Sequence, residues 1–341
     1  MSPRFKIESR HSAAVYHCMS HTVSEVRLDD RAREILRKQL WQIADYCGVH
    51  IFTYALMSNH FHVLVRVPLK TDDVPDAELL RRHNVLYPKL SMPQAARMKI
   101  VREQLKTNGP EAVKWRKQQL ALMCDISPFM KLLKQRFSVW FNRTQNRRGT
   151  LWSERFKSVL VEGRGNVLST MAAYIDLNPV RAGMAADPKD YRFCGYAEAL
   201  KGNKIAQTGI INIVTGQPGA DNAGGRAGSG VKWSDAQQAY RMRLFGDGVR
   251  QRAGKASMTP AQFEKVMEQN GTLPMPDVLR CRVKYFTDGV VLGGKAFVAE
   301  QLARYRRQTG LRKRIALRKL PPLTDWGDMV AMRGVRKNIF G

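Results

Sequence analysis

From Ile51 to Val67 the chain is almost continuously apolar, interrupted at Ser58-Asn59 and carrying two histidines two residues apart in His60-Phe61-His62. Two short apolar runs joined by a polar turn read as adjacent antiparallel strands. Successive side chains of a strand alternate between faces, so His60 and His62 point one way and Phe61 the other. One face is then a pair of imidazoles and the other is core. Neutral imidazoles on a rigid strand suit a divalent ion such as Mn²⁺ or Zn²⁺, or Mg²⁺ where oxygen ligands complete the shell. Satisfied or solvent-facing histidines have the same spacing, so the pair by itself leaves both readings open.

The surroundings of this pair suggest a fold. Val15-Tyr16-His17-Cys18-Met19-Ser20 has the composition of a first strand, and His17 lies near the pair if that strand is its neighbour; a structural histidine is the alternative. Asp29-Asp30 opens a helical pattern with Ile35, Leu36, Leu40, Ile43 and Ala44 at spacings of three and four, closed by Gly48. Strand, helix, strand, tight turn, strand is the opening of an antiparallel α+β sandwich. From Lys70 to Asp125 the pattern becomes helical and charged, punctuated by Pro75, Pro88, Pro93 and Gly109-Pro110, which predicts a helical insertion over 70–125.

Ser127-Pro128 predicts the next helix start. Phe129, Leu133, Phe137, Trp140 and Phe141 form its apolar stripe, and Lys131 and Lys134 lie off it, where they can meet phosphates. Leu151 to Val161 reads as a strand with Arg155 and Lys157 on one face and Trp152 and Phe156 on the other, a basic face that suits a single-stranded backbone. Asn166 predicts the cap of a helix that carries Tyr174 and ends near Asn178-Pro179, since a residue before proline avoids the helical region. Four apart, Tyr174 and Asn178 can share a helical face as a hydroxyl nucleophile beside a carbonyl-oxygen metal ligand; a packed tyrosine and a helix-ending asparagine have the same spacing.

Charge narrows the partner. With 57 Lys and Arg against 29 Asp and Glu in 341 residues, the net charge of +28 points to a polyanion, nucleic acid before a membrane surface. Cys18, Cys47, Cys124, Cys194 and Cys281 form no Cys-x-x-Cys and read as reduced core residues of a cytoplasmic, nucleoid-associated protein. No run approaches the length of a membrane span, so no membrane partner is expected. Beyond residue 200 the chain reads as a linker over 201–231, richest in Gly, Ala, Asn and Ser from Gly216 to Gly230, and then as a basic helical DNA-binding region over 232–341. Trp233 to Arg252, Pro260 to Gln269, Pro276 to Phe286 and Lys295 to Arg307 look helical. The glycines between the last two leave a helix-turn-helix and a small helical bundle both open. Gln301 to Leu320 holds eight Lys or Arg, among them Arg312, Lys313 and Arg314, and no acid, giving a phosphate-binding face or a basic arm.

Several stretches together carry a resemblance. Met57-Ser58-Asn59-His60-Phe61-His62, Gly149-Thr150-Leu151-Trp152 through Arg155-Phe156-Lys157-Ser158, and Ala173-Tyr174-Ile175-Asp176-Leu177-Asn178-Pro179-Val180-Arg181-Ala182-Gly183 are similar to REP-associated tyrosine transposases, of the HUH superfamily of single-strand DNA endonucleases. Asp187-Pro188-Lys189-Asp190-Tyr191-Arg192, Cys194-Gly195-Tyr196 and Tyr285-Phe286-Thr287-Asp288-Gly289 extend the likeness. It covers Val15 to Leu200 well and the C-terminal part more thinly.

The resemblance implies an α+β fold, a ferredoxin-like antiparallel sheet with helices, over residues 1–200. It implies that His60 and His62 bind Mg²⁺ or Mn²⁺ with Asn178 as third ligand. Tyr174 would attack a phosphodiester to leave a 5′-phosphotyrosine, in nicking and strand transfer on single-stranded hairpin DNA such as REP-like palindromes. Arg155, Lys157, Lys131, Lys134 and Arg181 would contact the DNA, with the protein a monomer or homodimer. His21 departs from the family pattern, which has an arginine there. Two other readings remain: a non-catalytic DNA-binding regulator derived from a transposase, and a metal-dependent hydrolase of another kind in which Tyr174 only packs.

Overall fold

The computed structural model describes residues 7, 12–216, 230–245, 279, 285–310, 317–320, 324 and 326–332. The chain begins with β1 (Ala14–His21), α1 (Asp30–Cys47), β2 (His50–Leu56) and β3 (His60–Val67). Three helices follow, α2 (Asp76–Leu86), α3 (Met92–Thr107) and α4 (Pro110–Leu120), then α5 (Ile126–Thr144) and β4 (Lys157–Val161). Next come α6 (Gly165–Asp176), α7 (Asn178–Arg181), α8 (Gly195–Leu200), α9 (Lys204–Thr215) and α10 (Trp233–Phe245). The C-terminal part holds α11 (Tyr285–Asp288), β5 (Val291–Gly294), α12 (Lys295–Thr309), β6 (Leu317–Lys319) and β7 (Met329–Met332).

Among the described residues seven strands form one sheet in the order β2-β3-β1-β4-β5-β7-β6. Each neighbouring pair among strands β1 to β4 is antiparallel and, with α1 and α5 as crossovers, these strands follow the β-α-β-β-α-β plan of ferredoxin-like folds. The whole sheet is mixed, because β5 joins β4 in parallel. The α+β expectation therefore holds, while the sheet extends beyond a purely antiparallel one.

Local chemistry sets the element ends. Asp29 accepts the Ala32 N–H as the cap of α1, and Gly48 closes that helix at φ 62°, a left-handed position that glycine adopts without cost. The cap of α5 is Asp125, whose carboxylate accepts from the Ser127 N–H, so the helix starts upstream of the expected Ser127. Asn166 likewise falls inside the first turn of α6, behind Arg164 at the cap. The expected strand over 151–161 begins only at Lys157, leaving Arg155 in a bend. The reason is competition for backbone groups: the Ser153 N–H donates to the His21 carbonyl at 3.0 Å and Lys134 Nζ to the Glu154 carbonyl at 2.6 Å.

Phe61 meets Trp152 at 5.5 Å between ring centroids, and Trp152 meets Phe137 of α5 at 5.8 Å, so α5, packed on α1, covers that face of the sheet. His60 and His62 face the other side, toward α6. The helices of 76–120 build a small core of their own from Leu79, Met98, Val101, Trp115, Met123 and Cys124. Arg81 ties them to Asp45 of α1 at 2.6 Å.

The C-terminal part differs from its all-helical expectation. Between α11 and α12 runs β5, a strand laid against β4, so these two helices are not a helix-turn-helix. Gly293 permits the close approach, since a Cβ there would collide with the Phe297 ring. The linker expected over 201–231 is not one throughout, because Lys204–Thr215 forms α9, whose buried Ala206, Ile210 and Ile213 pack it against β2. Its Gly-rich stretch at 217–229, the helix at Pro260 to Gln269, and Arg312, Lys313 and Arg314 lie outside the described residues. Among the described residues no helix is long and apolar enough to cross a membrane, and Cys18, Cys47, Cys124 and Cys194 are buried thiols outside any disulfide.

Candidate active site

Strand register assembles what sequence spacing could not. In the antiparallel pairing of β1 with β3, His21 lies opposite His60, Met19 opposite His62, and His17 two pairs further on, opposite Leu64. By alternation all four histidines lie on the α6 face. Their rings form two stacks, His17 on His62 with centroids 5.0 Å apart and His21 on His60 at 4.9 Å. His60 and His62 stand nearly perpendicular at 5.1 Å. His21, where the family pattern has an arginine, thus packs against one of the paired histidines.

Tyr174 comes down onto this row from α6. Its ring centroid is 6.3 Å from both His17 and His62, and it is buried at 3% exposure. Two neighbours hold it. Phe286 of α11 packs at 4.7 Å, the Arg181 guanidinium carbon lies 4.1 Å from its ring centre, and Arg181 Nη2 donates to the Tyr174 carbonyl at 2.7 Å. Arg181 Nη1 donates to the Leu279 carbonyl at 2.6 Å. Arg181, expected to contact DNA, is therefore half-buried and engaged with Tyr174 and the C-terminal segment.

Asn178 begins α7 after the break at Leu177, as the following proline predicts. It is buried, and its Nδ2 donates to the Tyr174 carbonyl at 3.4 Å, which leaves Oδ1 as the atom for a ligand role. Of the remaining basic residues, Lys131 and Arg155 are exposed. Lys134 lies over the Trp152 ring at 5.4 Å, and Lys157 pairs with Glu154 at 2.9 Å.

The electrostatics of the inner histidines follow from burial. His17 is lowered to about 4, chiefly because no water reaches the ring to solvate a charge, although the Phe286 carbonyl opposes the shift. His62 lies well below the usual histidine range for the same first reason, with neighbouring His17 and His60 adding to it. Both are neutral at pH 7. Among the described residues no three His, Cys, Asp or Glu side chains converge on one point, so a metal here would take two imidazoles and complete its shell with oxygen. The donor chemistry fits such a set. His60 Nδ1 lies 2.7 Å from the Asn59 side-chain oxygen, an acceptor, which puts the proton on Nδ1 and a lone pair on Nε2.

Asp176, two residues after Tyr174, forms a second buried polar centre. It accepts from the Thr53 hydroxyl at 2.8 Å, the Tyr240 hydroxyl at 2.6 Å and the Tyr196 N–H at 3.3 Å. Burial pushes its carboxyl up to about 7 in spite of these donors. It joins β2, α6, α8 and α10. Sequence reasoning did not single out Asp176, Phe286 or the two C-terminal carbonyls. His17 was tied to the pair only on the condition that its strand is the neighbour, and β1 does pair with β3.

No protein-family model and no curated protein matches this chain. One solved structure, that of a REP-associated tyrosine transposase bound to a REP hairpin, aligns with 59% of this chain and 86% of its own at 13% identity. Its TM-score is 0.32, a likeness too slight to carry functional weight.

Proposed function

We propose that this protein is a metal-dependent single-strand DNA nickase and strand transferase of the tyrosine-transposase type, acting on hairpin DNA. The observation that carries the reading is the meeting of Tyr174 with His62 and His17, residues far apart in sequence, in one buried cluster. The motif resemblance around His60, Tyr174 and Asn178 supports it independently, and the net charge of +28 supports a polyanionic partner.

In this reading the Tyr174 oxygen attacks a phosphorus and gives up its proton, the bond to the 3′ oxygen breaks and that oxygen takes up a proton to leave as a 3′-hydroxyl, and a 5′-phosphotyrosine forms. Attack on that link by another 3′-hydroxyl reverses the step and rejoins strands without an external energy source. His60 and His62, with Asn178 Oδ1, would hold Mg²⁺ or Mn²⁺, which supplies charge stabilisation at the phosphate and the leaving oxygen. Arg181 sets a positive charge beside the attacking phenol and fixes the helix end that carries it. Lys131, Arg155 and Lys157 would follow the DNA backbone; this is a cytoplasmic activity in the reading.

One observation favours a second reading, DNA binding without cleavage: Tyr174 is buried against Phe286. A single experiment separates the two. End-labelled single-stranded hairpins are incubated with the protein and Mn²⁺ or Mg²⁺, run on a denaturing gel, and the adduct is mapped by peptide mass spectrometry. A covalent adduct on Tyr174, absent with EDTA and in Tyr174→Phe, is the expected result. Hairpin binding with no adduct in either metal overturns the nickase in favour of the regulator, and turnover retained in Tyr174→Phe overturns the role of the tyrosine.

A further inference from the structure

His17 is fully buried and bonded at both ring nitrogens: Nδ1 lies 3.0 Å from the Phe286 carbonyl, and Nε2 lies 2.8 Å from His62 Nδ1. A carbonyl only accepts, so the proton on that side belongs to His17 Nδ1. A neutral imidazole carries one N–H, and a charged one would be costly at full burial. His17 Nε2 is therefore an acceptor, and the proton between the rings belongs to His62 Nδ1. The lone pair of His62 is then on Nε2.

We propose that His17 is a positioning residue, which, anchored by the Phe286 carbonyl of the C-terminal segment, holds His62 in the Nδ1–H form and so presents Nε2 as its ligand atom. The proposal deepens the function given above and rests on its reading of His62 as a metal-binding residue. Three features carry it. The ring stack of His17 on His62 fixes orientation as well as protonation. Met19, not His17, is the cross-strand partner of His62, so the contact spans a diagonal of the ladder and is made by side chains alone. The anchor comes from residue 286, which makes the C-terminal segment part of the site. Such outer partners commonly govern the orientation and basicity of a histidine ligand.

Two substitutions of similar polarity separate a positioning role from a structural one. In His17→Gln the side-chain oxygen can still accept from His62 Nδ1–H. In His17→Asn the shorter amide can reach the Phe286 carbonyl and leaves His62 without its acceptor. Histidine nitrogen resonances of the metal-free, full-length protein, with His62 assigned by its loss in His62→Gln, report the protonated nitrogen directly. Mn²⁺ titration of the same samples reports affinity.

The expected result is Nδ1–H at His62 in the parent and in His17→Gln. His17→Asn should shift toward Nε2–H, with Mn²⁺ affinity about 10–100-fold weaker, while His17→Gln stays within about threefold. Nδ1–H retained at His62 in a folded His17→Asn, or equal loss of Mn²⁺ in both variants, overturns the proposal. Failure of the parent to bind Mn²⁺ overturns the metal-dependent reading instead, and the nitrogen resonances still decide whether His17 sets the form of His62.

Discussion

Helix α6 carries two buried polar centres two residues apart, and they behave in opposite ways. Around Tyr174 the inner imidazoles His17 and His62 are neutral and linked to each other at 2.8 Å. Around Asp176 a carboxyl is met by Thr53, Tyr240 and the Tyr196 N–H. Burial drives the first group down and the second up, because in each case it disfavours charge. A carboxyl surrounded by donors from three other elements is a joint. A pair of linked, neutral imidazoles packed beside a tyrosine ring has the makings of a reaction site.

Substitutions should separate site from joint. Tyr174→Phe is expected to reduce adduct formation to background while leaving the urea unfolding midpoint close to that of the parent, since only a hydroxyl is removed. Asp176→Ala should do the reverse, destabilising the protein by about 3 kcal/mol or more by stranding buried donors. Loss of activity there should track loss of folded protein. A folded, fully stable Asp176→Ala with no activity would move Asp176 into the site and dissolve the distinction.

The pH dependence sharpens the same contrast. Above 6.5 the inner histidines are neutral in folded and unfolded chains alike. As pH falls below 6.5 the unfolded chain takes up protons first, so stability declines until about 4, where folded His17 also protonates. Asp176 acts oppositely. Between 3.8 and about 7 its folded form keeps a proton that the unfolded form has lost, so its contribution is full below 3.8 and declines as pH rises through 7. The two windows overlap with opposite signs, so between about pH 4 and 6.5 stability should fall more steeply with rising pH in His17→Gln than in the parent, and rise more steeply in Asp176→Asn, as read by urea unfolding. Identical slopes in both variants and the parent would refute the assignment.

The smallest effect is expected outside both centres. Lys131→Ala, at an exposed position on α5, should change stability by less than about 0.5 kcal/mol. If Lys131 contacts a phosphate, the substitution should lower the salt dependence of hairpin binding by about one unit of slope, measured by titration at several salt concentrations. An unchanged slope would remove Lys131 from the DNA path.

Much of the central fold was legible because it rests on local patterns. Alternation marks β3, the capping aspartate and closing glycine mark α1, and proline marks the end of α6. The helix starts expected at Ser127 and Asn166 each fall two residues late, because Asp125 and Arg164 take the caps. Arg155 left its expected strand because neighbouring backbone groups bond to His21 and Lys134. The C-terminal strands were missed because β5 and β7 are short, four residues each, and acquire meaning only when an existing sheet edge receives them.

The sequence by itself determined that His60 and His62 share a strand face, that Tyr174 and Asn178 lie at a helix end, and that the chain is strongly basic. Periodicity, proline and charge are properties of neighbouring residues, and no fold is needed to read them. Tertiary structure alone decided that β1 brings His17 and His21 to that face, that Arg181 turns inward onto Tyr174, and that residue 286 closes the site. Those outcomes depend on strand register and on which backbone carbonyl meets a buried nitrogen. Neither is written in the spacing of side chains along the chain.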